Sequence, residues 1–267
     1  MTALTRRNLL KQVMTTGAGA ALVQVAAAVE GGGQAKAALA AAEPRGRLLV
    51  AGFGGRRHSA TRGNASTVVT DIDVATGSFR QSWLAMGNGH TVLPLAGAGF
   101  LCLPQDGELA LFLDDKLQTV SPLNAPQGTF FSGHGVVVGG LAYVSVRMRQ
   151  ARSFTDHGQI VVVDYQKRQI IGSFDSGGVR PHEIVTNESG HIVISHYGDI
   201  NYEVAGKTSQ NERQPRLVIM DPRSGRIAQV IDAPVIGSLT HIARNAQGTV
   251  CGVPLNYHCL LYTSPSP

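Results

Sequence analysis

Four histidines in this chain stand in the same local setting. Imidazole titrates near neutrality and also donates a lone pair to transition metals. The four are His90 in "GNGHTVLPL", His134 in "FSGHGVVVG", His182 in "VRPHEIVTN" and His241 in "SLTHIARNA", at spacings of 44, 48 and 59 residues. Each leads into an apolar run that ends in a Gly-containing segment: "LAGAG", "VVGG", "NESG" or "NAQG". A single histidine at a strand start serves well as a hydrogen-bonding tie between a loop and its neighbour. Four in register raise a second reading, because Ser, Thr, Asn or Asp would serve as ties equally well. Ligation of a shared metal and structural tying are therefore the two readings of His90, His134, His182 and His241.

A second series interleaves with the first. Asp73, Asp114, Asp164 and Asp221 each close an apolar run and precede a turn and another strand, at spacings of 41, 50 and 57 residues. Asp followed by Gly or a polar pair is turn chemistry, so each is read as a turn-former rather than a catalyst. Together the two series define one unit: His-strand, Gly turn, strand, variable loop, strand ending in Asp, turn, strand. That is four strands in roughly 45 to 55 residues, the size of a propeller blade. Helical periodicity is almost absent, and short strand-like runs such as "RLLVAGF", "QIVVVDY" and "RLVIMD" recur instead. The expected fold is therefore an all-β propeller of four-stranded antiparallel blades, with four blades and part of a fifth legible. In a propeller the first strand of each blade lines the central channel, and the loop entering it crosses one face. The four histidines would then converge at the channel mouth, with Glu183, Asp199 and Asn211 as candidate ligand-binding neighbours.

The other histidines have weaker readings. His196, one strand beyond His182, could reach the mouth through a loop. His58 lies in the Arg-rich "GGRRHSATRG", and His157 and His191 read as turn or surface residues. Several chemistries find no motif. There is no Cys-x-x-Cys, no haem-attachment Cys-x-x-Cys-His, no nucleophile elbow and no phosphate loop. The "GFGG" at Gly52–Gly55 has no helix after it and reads as a turn.

Both ends of the chain differ from the repeat. "TRRNLLK" at residues 5–11 carries Arg6-Arg7 before an Ala-rich apolar stretch, and resembles a twin-arginine export signal. "AKA" (Ala35–Ala37) and "ALA" (Ala38–Ala40) follow, both shaped like signal-peptidase sites, with cleavage expected near Ala37 to Ala42. The stretch is short and is interrupted by Glu30 and three glycines, which argues against a membrane span after cleavage. "CLLYTSPSP", Cys259 to Pro267, resembles a translated sequencing adapter, which implies that the natural chain continues past His258. The expected division is residues 1–42 as signal and linker, 43–258 as a truncated propeller and 259–267 as an artefact. The leader through Ala37 carries three of the five net positive charges, and the remaining +2 gives no support for a nucleic-acid surface. Cys102 and Cys251 sit in apolar runs as buried thiols, with a disulfide between them left open.

"FFSGHGVVV", "GQIVVVDYQKRQIIGSF", "GGVRPHEI", "NERQPRLVIMDPRSG" and "LTHIA" resemble the motifs of the domain of unknown function 1513 family across most of residues 45–257. The resemblance matches the family's Gly-His-Gly to Gly133, His134 and Gly135. Its Pro-His-Glu falls on Pro181, His182 and Glu183, and its Asn…Pro-x-Leu on Asn211, Pro215 and Leu217. The chain departs from the family pattern at His196-Tyr197-Gly198-Asp199 and at Arg147-Met148-Arg149. The resemblance implies a periplasmic propeller linked to iron acquisition, with imelysin-type and dihaem proteins as partners. It implies no established activity.

Three functions follow. The first is a binding protein whose mouth holds a transition metal, iron or copper, or a metal-bearing ligand. The second is a propeller enzyme, a lactonase-like hydrolase or an oxidoreductase, using a His/Glu pair. The third is a scaffold that docks other proteins and needs no site chemistry. The absence of a recognisable catalytic motif favours the first over the second.

Overall fold

A computed structural model describes residues 46–53, 67–153, 155–198, 214–232, 238–245 and 250–255. The expectations for residues 1–42 and 259–267, and those for His58, Asp199 and Asn211, lie outside the described residues. Seventeen strands are described and no helix, so none among the described residues is long and apolar enough to cross a membrane.

The strands group as the repeat demands. A first blade holds β1 (Arg47–Phe53), β2 (Thr67–Asp73) and β3 (Phe79–Leu84), paired in that order. A second holds β4 (Gly89–Leu95), β5 (Gly99–Gly107), β6 (Leu109–Leu113) and β7 (Thr119–Asn124). A third holds β8 (Thr129–Val138), β9 (Leu141–Met148), β10 (Gln159–Asp164) and β11 (Gln169–Asp175). A fourth holds β12 (Pro181–Thr186), β13 (Ile192–His196), β14 (Arg216–Met220) and β15 (Ile227–Asp232). The pair β16 (Ser238–Arg244) and β17 (Val250–Leu255) begins a fifth. Every pairing is antiparallel between chain neighbours, with one exception. The end of β5 overruns its own blade and pairs with β8, matching Gln105 to Ser132 and Gly107 to Phe131.

The alternation of side chains explains why blades stack. Successive residues of a strand point to opposite faces, and the second and third blades are covered on both. Phe100 and Cys102 of β5 pack with Ala51, Val69 and Leu84 of the first blade. Leu101 and Leu103 pack instead with Phe131, Val144 and Val161 of the third. Val161 and Val163 of β10 face the second blade, while Ile160 and Val162 join Ile184, Ile194 and Val218 of the fourth. Hence the near-continuous apolar runs in the middle strands of these blades, such as β5 and β10. Each large side chain so buried contributes about 1.5–3 kcal/mol, before the entropy of ordering it is counted. Cys102 is a free thiol in this core, and burial pushes it up to about 12, so it is inert.

The four aspartates close the third-strand turns, as their sequence setting implies. Asp73 Oδ1 accepts from the backbone N–H groups of Ala75 and Thr76, at 2.9 Å each. Asp114 Oδ1 accepts from Lys116 and Gln118, at 2.8 Å each. Asp164 accepts from Lys167 at 3.0 Å and Asp221 from Arg223 at 2.9 Å. Neighbouring blades are also latched by hydroxyls that the repeat places identically. Ser145 on β9 donates to the His182 carbonyl at 2.7 Å, and Ser195 on β13 donates to the Thr240 carbonyl at 2.6 Å. Each thus joins its blade to the inner strand of the next.

Candidate functional site

The inner strands β4, β8, β12 and β16 deliver His90, His134, His182 and His241 to one place, as their register implies. The ring centroids of His90 and His134 are 4.7 Å apart, and those of His134 and His182 are 4.5 Å apart. His182 and His241 are separated by 5.1 Å, and His134 and His241 by 5.6 Å. The rings meet largely edge to face.

Glu183 organises the cluster. It is buried on β12, next to His182, and its carboxylate bridges two other blades. His134 Nδ1 lies 2.9 Å from Oε1, and His241 Nδ1 lies 3.0 Å from Oε2. These are lengths of charge-assisted hydrogen bonds. Burial would raise the Glu183 carboxyl, but the two imidazole N–H groups outweigh it and hold the group at about 2. The carboxylate therefore stays ionised and accepts Nδ1–H of both His134 and His241, which leaves Nε2 as the ring nitrogen turned away from it.

The Nε2 atom of His134 faces His90. The two Nε2 atoms are 3.0 Å apart. Two occupants suit that gap, the proton of an N–H···N hydrogen bond or a shared metal ion. An ion bonded to both nitrogens at about 2.0–2.1 Å would subtend an angle of roughly 95°. His90, His134 and His182 each offer a ring nitrogen within 4.8 Å of the others, and His134, Glu183 and His241 form a second such group. The donor chemistry fits the first group better, because both Glu183 oxygens are engaged in orienting imidazoles. Burial, followed by the positive charge that His134 and His241 would carry, pushes His90 down to about 4. The same causes hold His182 well below its usual range. Both rings are therefore neutral at pH 7, the form that ligates metals.

Backbone geometry supports the seating of these rings. Gly133 has φ +96°, and a Cβ there would lie 2.6 Å from Cδ2 of His90. Only glycine lets the His90 ring pass this close to β8. On the rim, Arg147 donates to Asp106 at 2.7 Å, across the seam where β5 meets β8.

The reading of His196 as a mouth residue is corrected. Its ring is fully buried, and its Nε2 lies 3.1 Å from Ser176 Oγ, away from the four-histidine cluster. His196 pairs with Pro181 across β12 and β13, and one residue further on the alternation brings Tyr197 to the cluster instead. The Tyr197 ring is 4.8 Å from that of His182, and its hydroxyl is 3.4 Å from His182 Nε2. Arg180 stacks over the Tyr197 ring at 4.9 Å. Neither Tyr197 nor Arg180 stood out in the sequence. The signal available was period-two alternation from His182 through the hairpin. His157 pairs with Asp175 at 2.8 Å on the outside of the third blade, consistent with a turn or surface position.

The fold and the site together define a β-propeller whose inner strands present a histidine cluster around one carboxylate. Residues 105–254 match the family described as protein of unknown function (DUF1513), and the chain belongs to that family. No curated protein matches it. Among solved structures it is similar to the WD40 β-propeller domain of Doa1, with a TM-score of 0.54 at 13% identity, covering 78% of this chain and 57% of that one. It is also similar to the Kuenenia stuttgartiensis hydrazine synthase, with a TM-score of 0.53 at 16% identity, covering 69% of this chain and 49% of that one. The Dos1 propeller matches with a TM-score of 0.51 at 10% identity, over 77% of this chain and 52% of that one. The chain thus spans about half the length of these structures. At such identities the likeness concerns the fold alone.

Proposed function

We propose that this protein binds a transition metal, or a small ligand carrying one, through the neutral imidazoles of His90, His134 and His182. The observation that carries the reading is the Glu183 bridge. It holds Nδ1–H of His134 and His241 and so turns the His134 Nε2 onto His90, 3.0 Å away. His182 adds a third ring nitrogen within 4.8 Å of these two, which a pairwise tie between His90 and His134 does not require. In this reading Glu183 is the orienting carboxylate behind a metal-binding histidine, and borderline metals such as iron, copper or zinc suit the donors. The enzyme reading with Glu183 as a general base is less favoured, because each carboxylate oxygen already accepts an imidazole N–H.

We place this activity in the periplasm after twin-arginine export, as a component linked to iron acquisition. The Arg6-Arg7 leader and the family resemblance support that placement. Fractionation of cells expressing the intact protein, with Arg6→Lys/Arg7→Lys beside it, checks the export route. Elemental analysis of protein purified without chelator checks the binding. Stoichiometric iron, copper or zinc that disappears in His134→Ala/His182→Ala supports the reading. Absence of metal after loading with each ion overturns it and returns the four histidines to structural tying.

A further inference from the structure

We propose that the phenol of Tyr197 is the fourth donor of this site, so that the metal it takes is one that accepts a phenolate, ferric or cupric ion. The inference rests on the metal-binding reading above and narrows the class of metal.

Three observations carry it. The first is distance. Tyr197 Oη lies 3.4 Å from His182 Nε2, at the long limit for a hydrogen bond between a hydroxyl and a nitrogen. The same separation suits two atoms bound to one ion. With each bond at about 2.0–2.1 Å, the angle at the metal is roughly 110°, that of a tetrahedral site. The second is surroundings. The Arg180 guanidinium sits 4.9 Å from the centre of the Tyr197 ring, so the side chain is held in place by a stacked cation. The third is placement. The backbone N–H of Tyr197 donates to the Arg180 carbonyl at 3.2 Å, just beyond the Pro181–His196 pair, so one short backbone link carries both residues. The hairpin that supplies His182 thus supplies its partner donor as well. His196, one residue earlier, turns its ring onto Ser176.

Three imidazoles alone describe a site open to zinc, copper or iron. Adding a hard anionic oxygen shifts the preference toward ferric and cupric ions. Ligation costs the phenol its proton: the O–H bond breaks, the oxygen–metal bond forms, and the proton leaves to solvent. The metal keeps its oxidation state, so no electron donor or acceptor is needed.

The test is spectroscopic. Phenolate bound to ferric or cupric ion gives an intense visible charge-transfer band, and resonance Raman excitation within that band enhances phenolate ring modes. The intact protein is titrated with ferric ion, supplied as a weak chelate, and separately with cupric ion, and binding is followed by equilibrium dialysis. Tyr197→Phe is compared with Tyr143→Phe, whose hydroxyl is committed to the Pro222 carbonyl at 2.8 Å. The expected result is a visible band with phenolate modes in the wild type and in Tyr143→Phe. Tyr197→Phe loses both while still binding the ion. Binding without the band removes Tyr197 from the ligand set and leaves the metal-binding reading standing. A band that survives in Tyr197→Phe assigns it to another tyrosine and overturns the proposal. Failure of both ions to bind overturns the proposal and the ferric and cupric forms of the metal-binding reading with it.

Discussion

In the second, third and fourth blades the repeat places two polar residues, an aspartate at the end of the third strand and a histidine on the inner strand, and the two series find their partners differently. Asp73, Asp114, Asp164 and Asp221 are satisfied within their own turns, by N–H groups two to four residues away. His90, His134 and His241 reach across blade boundaries, to partners 44 to 58 residues distant. Recurrence alone therefore does not separate structural from functional residues. A position satisfied inside its own blade holds that blade's shape. A position satisfied only once neighbouring blades are assembled can make a property that no single blade has.

The largest effect expected from breaking this contrast is loss of metal in His134→Ala/His182→Ala, measured by elemental analysis. Glu183→Gln comes next. It keeps the shape of the side chain but presents an amide N–H to one of two imidazoles, so one Nδ1–H loses its acceptor. Metal affinity should fall by about 10–100-fold. Loss of a charged hydrogen bond should also cost about 1.5–3 kcal/mol of stability in the metal-free protein. Dialysis against a competing chelator and urea unfolding read the two effects separately. A Glu183→Gln variant with unchanged affinity would show that the carboxylate does not orient the ligands.

A third expectation concerns acid. Burial holds His196 at about 3, whereas an unfolded histidine titrates near 6.5. As pH falls from about 6.5 to about 3, the unfolded chain takes up a proton that the native protein refuses. Stability is then full above that window and lost within it, by up to about 1.4 kcal/mol per pH unit for this one group. The backbone hydrogen bond recorded with Arg216 and the charge of Asp175 favour the protonated ring, whereas the charges of Arg216 and His157 oppose it. Urea midpoints between pH 7 and 4 should fall more steeply for the wild type than for His196→Gln. Parallel curves would rule out this histidine as a source of acid lability.

Gly133→Ala should move His90 by adding a Cβ 2.6 Å from its ring at φ +96°. The strain is about 1–3 kcal/mol, and weakened metal binding should accompany it. The smallest effect belongs to the rim. Asp164→Asn should leave metal binding untouched and shift unfolding less than any change at the mouth. If Asp164→Asn altered the metal content, the separation between the two series would fail.

Much of this architecture was legible because the physics is local. A strand flanked by turn residues announces itself, and an aspartate that bonds its own turn needs no information from elsewhere. The spacing of the histidines carried the site, since equal positions in stacked blades must converge. Glu183 was legible as a neighbour of His182, but its bridge from His134 to His241 was not, because that depends on blades 48 and 59 residues apart in the chain. The exchange of His196 for Tyr197 has a simpler cause. One step along a strand reverses the face, and the sequence does not mark where the hairpin ends its alternation. Ser145 and Ser195 were missed for another reason. A serine inside an apolar run looks like a weak core position until the carbonyl of the next blade is seen above it.

The overrun of β5 gives the assembly an uneven stiffness. Between the second and third blades the joint is made by main-chain pairing, Gln105 to Ser132 and Gly107 to Phe131, reinforced by Arg147 on Asp106. Between the third and fourth, and the fourth and fifth, a serine hydroxyl serves as the latch. His90 and His134 consequently share one main-chain frame, while His182 and His241 sit on blades joined mainly by side chains: apolar packing, the Tyr143 hydroxyl on the Pro222 carbonyl and the Glu183 bridge. Breathing of the cluster would therefore be uneven, smallest at the seam between the second and third blades, where main-chain pairing must break before the histidines part.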